Sequence, residues 1–155
     1  MYKRILVPME NEEHQEPALA HAYALAQRTG AAVVLVWLVP VVASGESFFN
    51  QIQVEPGSSG ARRKERGQEY LVQATKPFHA AGIDTVSKIE VTPLPPEQAI
   101  VELAAQENAD LIIMATLPES AVGRFLFGSG GEKVRRRSPV PILFVAPSQG
   151  KEGGE

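Results

Sequence analysis

Four apolar runs constrain this chain more than any other feature: Ile5-Leu6-Val7-Pro8, Val33 to Val39, Leu111-Ile112-Ile113-Met114 and Ile142-Leu143-Phe144-Val145. None alternates with polar residues. A strand with one wet face reads apolar-polar-apolar, so uninterrupted runs of this length belong to strands covered on both faces, as in a parallel sheet between helices. A fifth stretch does alternate, with Val86, Lys88 and Glu90 against Ser87, Ile89 and Val91, and suits a half-exposed edge strand.

The connecting segments carry helical spacing. Leu19, Ala22, Tyr23 and Ala26 recur on one face, and Gly30 supplies a stop. From Arg62 to Ala81, Gly67, Tyr70, Leu71, Ala74 and Phe78 line another helix, in which Pro77 implies a kink or an early end. Pro93 to Pro96 opens a third helix with Ile100, Leu103 and Ala104 inward, and a short basic helix with Lys133 and Arg135-Arg136-Arg137 precedes the last strand. Val41 to Gly60 is a long irregular connection, of a length usually functional or disordered. Five strands alternating with four helices predict an α/β fold: an open, doubly wound, mostly parallel five-stranded sheet with helices on both faces.

Ligands of such sheets sit beyond the carboxyl ends of the strands, where the winding reverses. The segments expected there are Pro8-Met9-Glu10, Leu38-Val39-Pro40, Met114-Ala115-Thr116 and the neighbouring Gly128-Ser129. They converge only if the first strand is central and lies beside the Leu111 strand, which requires the order 3-2-1-4-5.

With 155 residues, 44% of them hydrophobic, the chain can bury one core, expected over residues 1–147 with a flexible polar tail at 148–155. A net charge of −3 argues against a nucleic-acid or membrane-surface partner, since both favour a basic excess. The absence of cysteine removes disulfides, thiol nucleophiles and cysteine-type zinc sites. No apolar run approaches membrane-spanning length, and Met1 to Arg4 leads into a run too short for a signal peptide, so the expected location is cytoplasmic.

Enzyme signatures are not found. Gly123 to Ser129 spaces two glycines as in a P-loop, but Ser129 stands where the lysine must be, and no G-x-S-x-G elbow occurs. His14 and His21 are expected to share a helix face without partners for a triad or a metal. Glu10, Glu12, Glu13 and Glu16 read as a solvated face at a helix N-terminus. No catalytic or metal-binding residue is assigned. Gly128-Ser129-Gly130-Gly131 has two readings. Amides at a glycine-rich helix start form an anion cradle, and the same residues also make a tight loop N-capped by Ser129 that needs no ligand. Arg124 could reach a phosphate there, although an isolated loop arginine is usually solvated.

The opening KRILVP, the acidic residue directly after strand one, the long loop after strand two, PxxxI at the third helix, ADLIIMAT and GSGGEKVRRRSPVPILFV together resemble the universal stress proteins over nearly the whole chain. The resemblance implies a small-ligand-binding or signalling module in stress response. Its nucleotide-binding branch carries Gly-two-residues-Gly-nine-residues-Gly-Ser/Thr; here the first two glycines fall on Ala115 and Pro118, and only Gly128-Ser129 match. The aspartate that helps hold the nucleotide falls on Glu10. Pro118 lacks an N–H donor and Ala115 adds a methyl group, whereas Gly130 and Gly131 make the cradle more permissive. The nucleotide-binding residues so implied are Pro8, Met9, Glu10, Leu38, Met114, Ala115, Arg124, Gly128, Ser129, Gly130 and Gly131. The ligand would be ATP or a related adenine nucleotide, with magnesium when bound. Two rival readings stand beside it: a slow nucleotide hydrolase, and an interaction module that has lost the nucleotide. The run from Pro141 to Pro147 would leave an apolar sheet edge, and the expected cover is the same strand of a second copy, an antiparallel homodimer that the resemblance also implies.

Overall fold

The computed structural model describes residues 1–41, 59–116 and 133–146. In chain order it contains β1 (Arg4–Met9), α1 (Glu16–Thr29), β2 (Ala32–Pro40), α2 (Ser59–Ala80), β3 (Thr85–Thr92), α3 (Pro96–Gln106), β4 (Leu111–Ala115) and β5 (Ile142–Val145). The strands form one sheet in the order β3-β2-β1-β4-β5, and every pairing is parallel. This is the predicted topology, with the alternating Val86 strand at one edge.

The apolar runs are explained by which side chain goes to which face. Ile5, Val7 and Met9 of β1 join Val33, Leu35 and Trp37 of β2 and Leu111 and Ile113 of β4 in a core covered by Ala18, Ala22 and Ala26 of α1 and Leu71 and Phe78 of α2. Leu6, Val34, Val36, Leu38, Ile112 and Met114 face the other way, against Ile100, Leu103 and Ala104 of α3 and Val134 of the helical residues 133–137. Period-two alternation is present in the backbone, but both faces are dry, so both sets must be apolar. Helices on both faces follow.

Gly30 ends α1 in the left-handed conformation, φ 78°, and its N–H bonds the Ala26 carbonyl at 2.8 Å. Two local expectations need correction. His14 does not share a helix face with His21: it lies in the turn before α1 with φ 63°, while His21 sits inside the helix. Of the kink or early end expected at Pro77, the early end does not occur: α2 runs on to Ala80 although Pro77 has no N–H to give the carbonyl one turn before it.

Charge ties β1 and β3 to the end of α3. Glu107, just after α3, accepts from Arg4 at 3.1 Å and from Lys88 of β3 at 3.2 Å, and these two hydrogen bonds hold its carboxyl below the usual range. A group whose folded pKa is depressed stabilises above its unfolded pKa and loses that contribution as pH falls through the folded one. We expect Glu107→Ala to cost on the order of 1 kcal/mol at neutral pH, for half-exposed partners, and the difference from wild type to shrink on acidification below pH 4.5. Denaturant titrations across that range check it.

Candidate functional site

Because all five strands are parallel, their carboxyl ends lie on one side of the sheet. Pairing of β1 with β2 runs the length of β1, from Arg4↔Ala32 to Met9↔Trp37. Pairing of β1 with β4 does not. It comprises Ile5↔Leu111 and Leu6↔Ile112, with no ladder pair beyond them. The sheet is therefore unlaced at its centre on the carboxyl side, between the two strands where the winding reverses, which is the place such folds keep for ligands.

Three of the sequence-predicted positions surround this opening from β1 and two from β4. Pro8 and Met9 close β1 and are buried; Glu10 follows directly and is only 8% exposed. Met114 and Ala115 end β4, also buried, and the Thr116 N–H after them bonds the Val145 carbonyl of β5 at 2.9 Å. Leu38 lies on β2, one residue beyond the partner of Met9 and on the α3 side of the sheet. The hydrocarbon side chains here are fully packed, so what these residues offer a ligand is backbone polar groups and a wall. Arg124, Gly128, Ser129, Gly130 and Gly131, together with Pro118, lie outside the described residues, and so does residue 147 of the expected dimer strand.

Glu10 is the chemically distinctive member. It is not part of a solvated acidic face: Glu12 and Glu13 are exposed, but Glu10 is buried, and its Oε2 has no hydrogen-bond partner among the described residues. Burial pushes its carboxyl up to about 7, and the Arg63 charge only partly opposes this. The sequence reading missed Trp37, Arg63 and Arg66, which join Glu10, Asn11, Glu12 and Glu13 around a cavity of about 300 Å³. A signal was available. Arg63, Arg66, Gly67 and Tyr70 fall at helical spacing on one face of α2, and Gly67 of that face packs directly on the Trp37 indole while Tyr70 lies 5.5 Å from it, centroid to centroid. A larger groove of about 440 Å³, between α1 and α2, is lined by Leu19, Tyr23, Tyr70 and Phe78 among others and contains none of the sequence-predicted site residues.

The sequence model of the universal stress protein family matches residues 1–146. The chain belongs to the universal stress protein family. A universal stress protein of Thermus aquaticus, from the QAH/OAS sulfhydrylase 3' region, is 33% identical over 147 residues, covering 94% of this chain and 99% of its own. Among solved structures, the universal stress protein of Archaeoglobus fulgidus in complex with dAMP superposes with a TM-score of 0.63 at 18% identity, covering 93% of this chain and 98% of that one. A universal stress protein in complex with cAMP gives 0.64 at 22% identity, covering 95% and 98%. At these identities the structural likeness establishes the shared α/β fold. In this universal stress protein a ligand can meet polar groups at the opening between β1 and β4 and in the Glu10–Trp37 cavity beside it.

Proposed function

We propose that this universal stress protein binds an adenine nucleotide at the carboxyl ends of β1 and β4, as a ligand-binding rather than a catalytic module. The observation that carries the reading is Glu10: a buried carboxyl with one oxygen unpartnered among the described residues, just past the end of the central strand and beyond the point, at Leu6, where the ladder to β4 stops. A buried acceptor left unpaired costs about 1–3 kcal/mol, so its persistence at the switch point favours a group that arrives to pair it. The dAMP and cAMP complexes of the structural relatives support adenine as the base. Pro8, Met9, Leu38, Met114 and Ala115 would wall the site, and Gly128, Ser129, Gly130, Gly131 and Arg124 would hold the phosphates, with magnesium accompanying a triphosphate.

Calorimetry with AMP and with ATP plus magnesium tests this. We expect saturable binding, weaker than in a family member with glycine at the positions of Ala115 and Pro118, and further weakened by about 0.5–1.5 kcal/mol in Ser129→Ala, the net worth of one neutral hydrogen bond. Absence of heat at millimolar nucleotide leaves the interaction-module reading, which those two departures favour.

Assembly as a homodimer belongs to the same proposal. Among the described residues β5 pairs only with β4, and its Ile142, Leu143 and Phe144 are half-buried. A second β5 added antiparallel about a two-fold axis would complete both ladders and cover these side chains. Sedimentation at micromolar concentration should give a dimer mass, and Leu143→Lys or Phe144→Lys should shift it toward monomer or insolubility. A wild-type monomer would refute the dimer.

A further inference from the structure

Among the described residues four buried side-chain polar atoms lack a hydrogen-bond partner, and all but Gln15 Oε1 belong to residues lining a single cavity. Those three are Glu10 Oε2, Asn11 Oδ1 and Trp37 Nε1, around the space of about 300 Å³ that Arg63 and Arg66 of α2 and Glu12 and Glu13 of the turn after β1 complete. Glu10 is 8% exposed and Trp37 2%, so these are interior groups rather than surface ones. Trp37 belongs to the core beneath α1 and α2, whereas Leu38 and Met114 belong to the core beneath α3. The cavity therefore opens on the opposite face of the sheet from Leu38 and Met114, and only Glu10 borders both places.

We propose that this cavity is a second binding site, for a small molecule whose recognition group both accepts and donates hydrogen bonds, of the kind found in a primary amide or an amino-substituted nitrogen heterocycle. The donor and acceptor inventory selects the chemistry. An indole N–H only donates, so the ligand must bring an acceptor to Trp37. The Asn11 oxygen only accepts, as does the Glu10 carboxylate, so the ligand must bring N–H groups to them. An apolar molecule would leave all three unpaired, at about 1–3 kcal/mol each. A simple anion would suit Trp37 but face two oxygens, and a simple cation would suit the oxygens but leave the indole unsatisfied. Arg66 is occupied at the rim, 3.8 Å from Glu12, and Arg63 acts on Glu10 as a charge. A carbonyl and an NH2 on one carbon, as in an amide, or a ring nitrogen beside an amino-bearing carbon, as in an amino heterocycle, supply both an acceptor and N–H donors.

Trp37 is the only tryptophan in the chain, so intrinsic tryptophan fluorescence reports from a residue that lines this cavity. Titration with nicotinamide and with cytosine separates the two ligand sources: saturable change with the first supports an amide, with the second an amino heterocycle, and with both the shared chemistry. Nicotinic acid, which keeps the ring but loses the amide donor, should bind at least tenfold more weakly than nicotinamide. Asn11→Leu should weaken the responding probe by a similar factor without altering AMP affinity measured by calorimetry. That contrast separates failure of this site from failure of the nucleotide proposal. The charged groups around Glu10 are Arg63 and Arg66 from α2 and Glu12 and Glu13 from its own turn, with none from β2. Because burial pushes Glu10 up to about 7, a ligand that needs the ionised carboxylate should bind about tenfold more tightly at pH 8 than at pH 6, and Glu10→Gln should flatten that profile. No saturable change with either probe, or equal binding of nicotinic acid, would overturn the proposal.

Discussion

Replacing Glu10 by glutamine raises the stability of this protein near pH 8 by up to about 3 kcal/mol and leaves it almost unchanged near pH 4.5. Burial lifts the carboxyl from its ordinary 4.5 to about 7, and each pKa unit is worth about 1.36 kcal/mol. The sign follows from proton counting. Between those two values the native state keeps a proton that the unfolded chain has released, so stability falls as pH rises through the interval and the full cost is present above about 7. Glutamine is nearly the same shape and never ionises. It removes the slope and the cost together, while the exposed Arg63 stays solvated. Guanidinium unfolding of both proteins from pH 4 to pH 8.5 checks the prediction; parallel pH profiles would contradict it. A carboxyl kept at such a cost is the usual mark of a functional position, and the same substitution should weaken ligand binding as it strengthens the fold.

The opposite outcome is expected at Gly67. A methyl group built there enters the Trp37 indole, overlapping Cδ1, Cγ and Nε1. Those atoms belong to a rigid ring in β2, 2% exposed and backed by Tyr70, so it cannot swing aside as a flexible side chain would. Overpacking of this kind costs about 1–3 kcal/mol, sometimes more, against roughly 1 kcal/mol regained from the helix preference of alanine over glycine. Gly67→Ala should therefore lose about 1 kcal/mol net, and up to about 2 where the indole cannot shift at all, read as a lower denaturation midpoint with an unchanged denaturant slope. The same change in a Trp37→Leu background should be neutral or stabilising. If Gly67→Ala stabilises the otherwise wild-type protein, the close packing of α2 on β2 is wrong.

The fold was legible because it rests on patterns that need no partner to be read. Ile5 to Pro8 and Leu111 to Met114 are apolar without alternation, and only a doubly covered parallel sheet uses such strands in this number. Lys88 and Glu90 marked the edge strand for the same reason in reverse. The site was less legible. Glu10 stands two residues from Glu12 and reads as one of a solvated acidic group, but it directly follows the last residue of β1 and is still buried, whereas Glu12 is exposed. Burial of that kind depends on where β4 and α2 lie, which adjacency in sequence does not encode. Trp37 reads as one more apolar residue in a strand, and its unpaired N–H becomes visible only once Asn11 and Glu10 are placed beside it. His14 was misplaced because helical spacing extended backwards from α1 took no account of the turn, which puts that residue at positive φ.

The central claim, that the carboxyl ends of β1 and β4 hold an adenine nucleotide, is tested most directly by mapping amide chemical shifts of isotope-labelled protein titrated with AMP. The account predicts saturable shifts concentrated at Glu10, Leu38, Ala115 and Thr116, with the amino-end amides of Arg4, Glu107 and Asp110 unmoved. Saturable shifts confined to those amino-end residues, or no shifts at millimolar AMP, would contradict it.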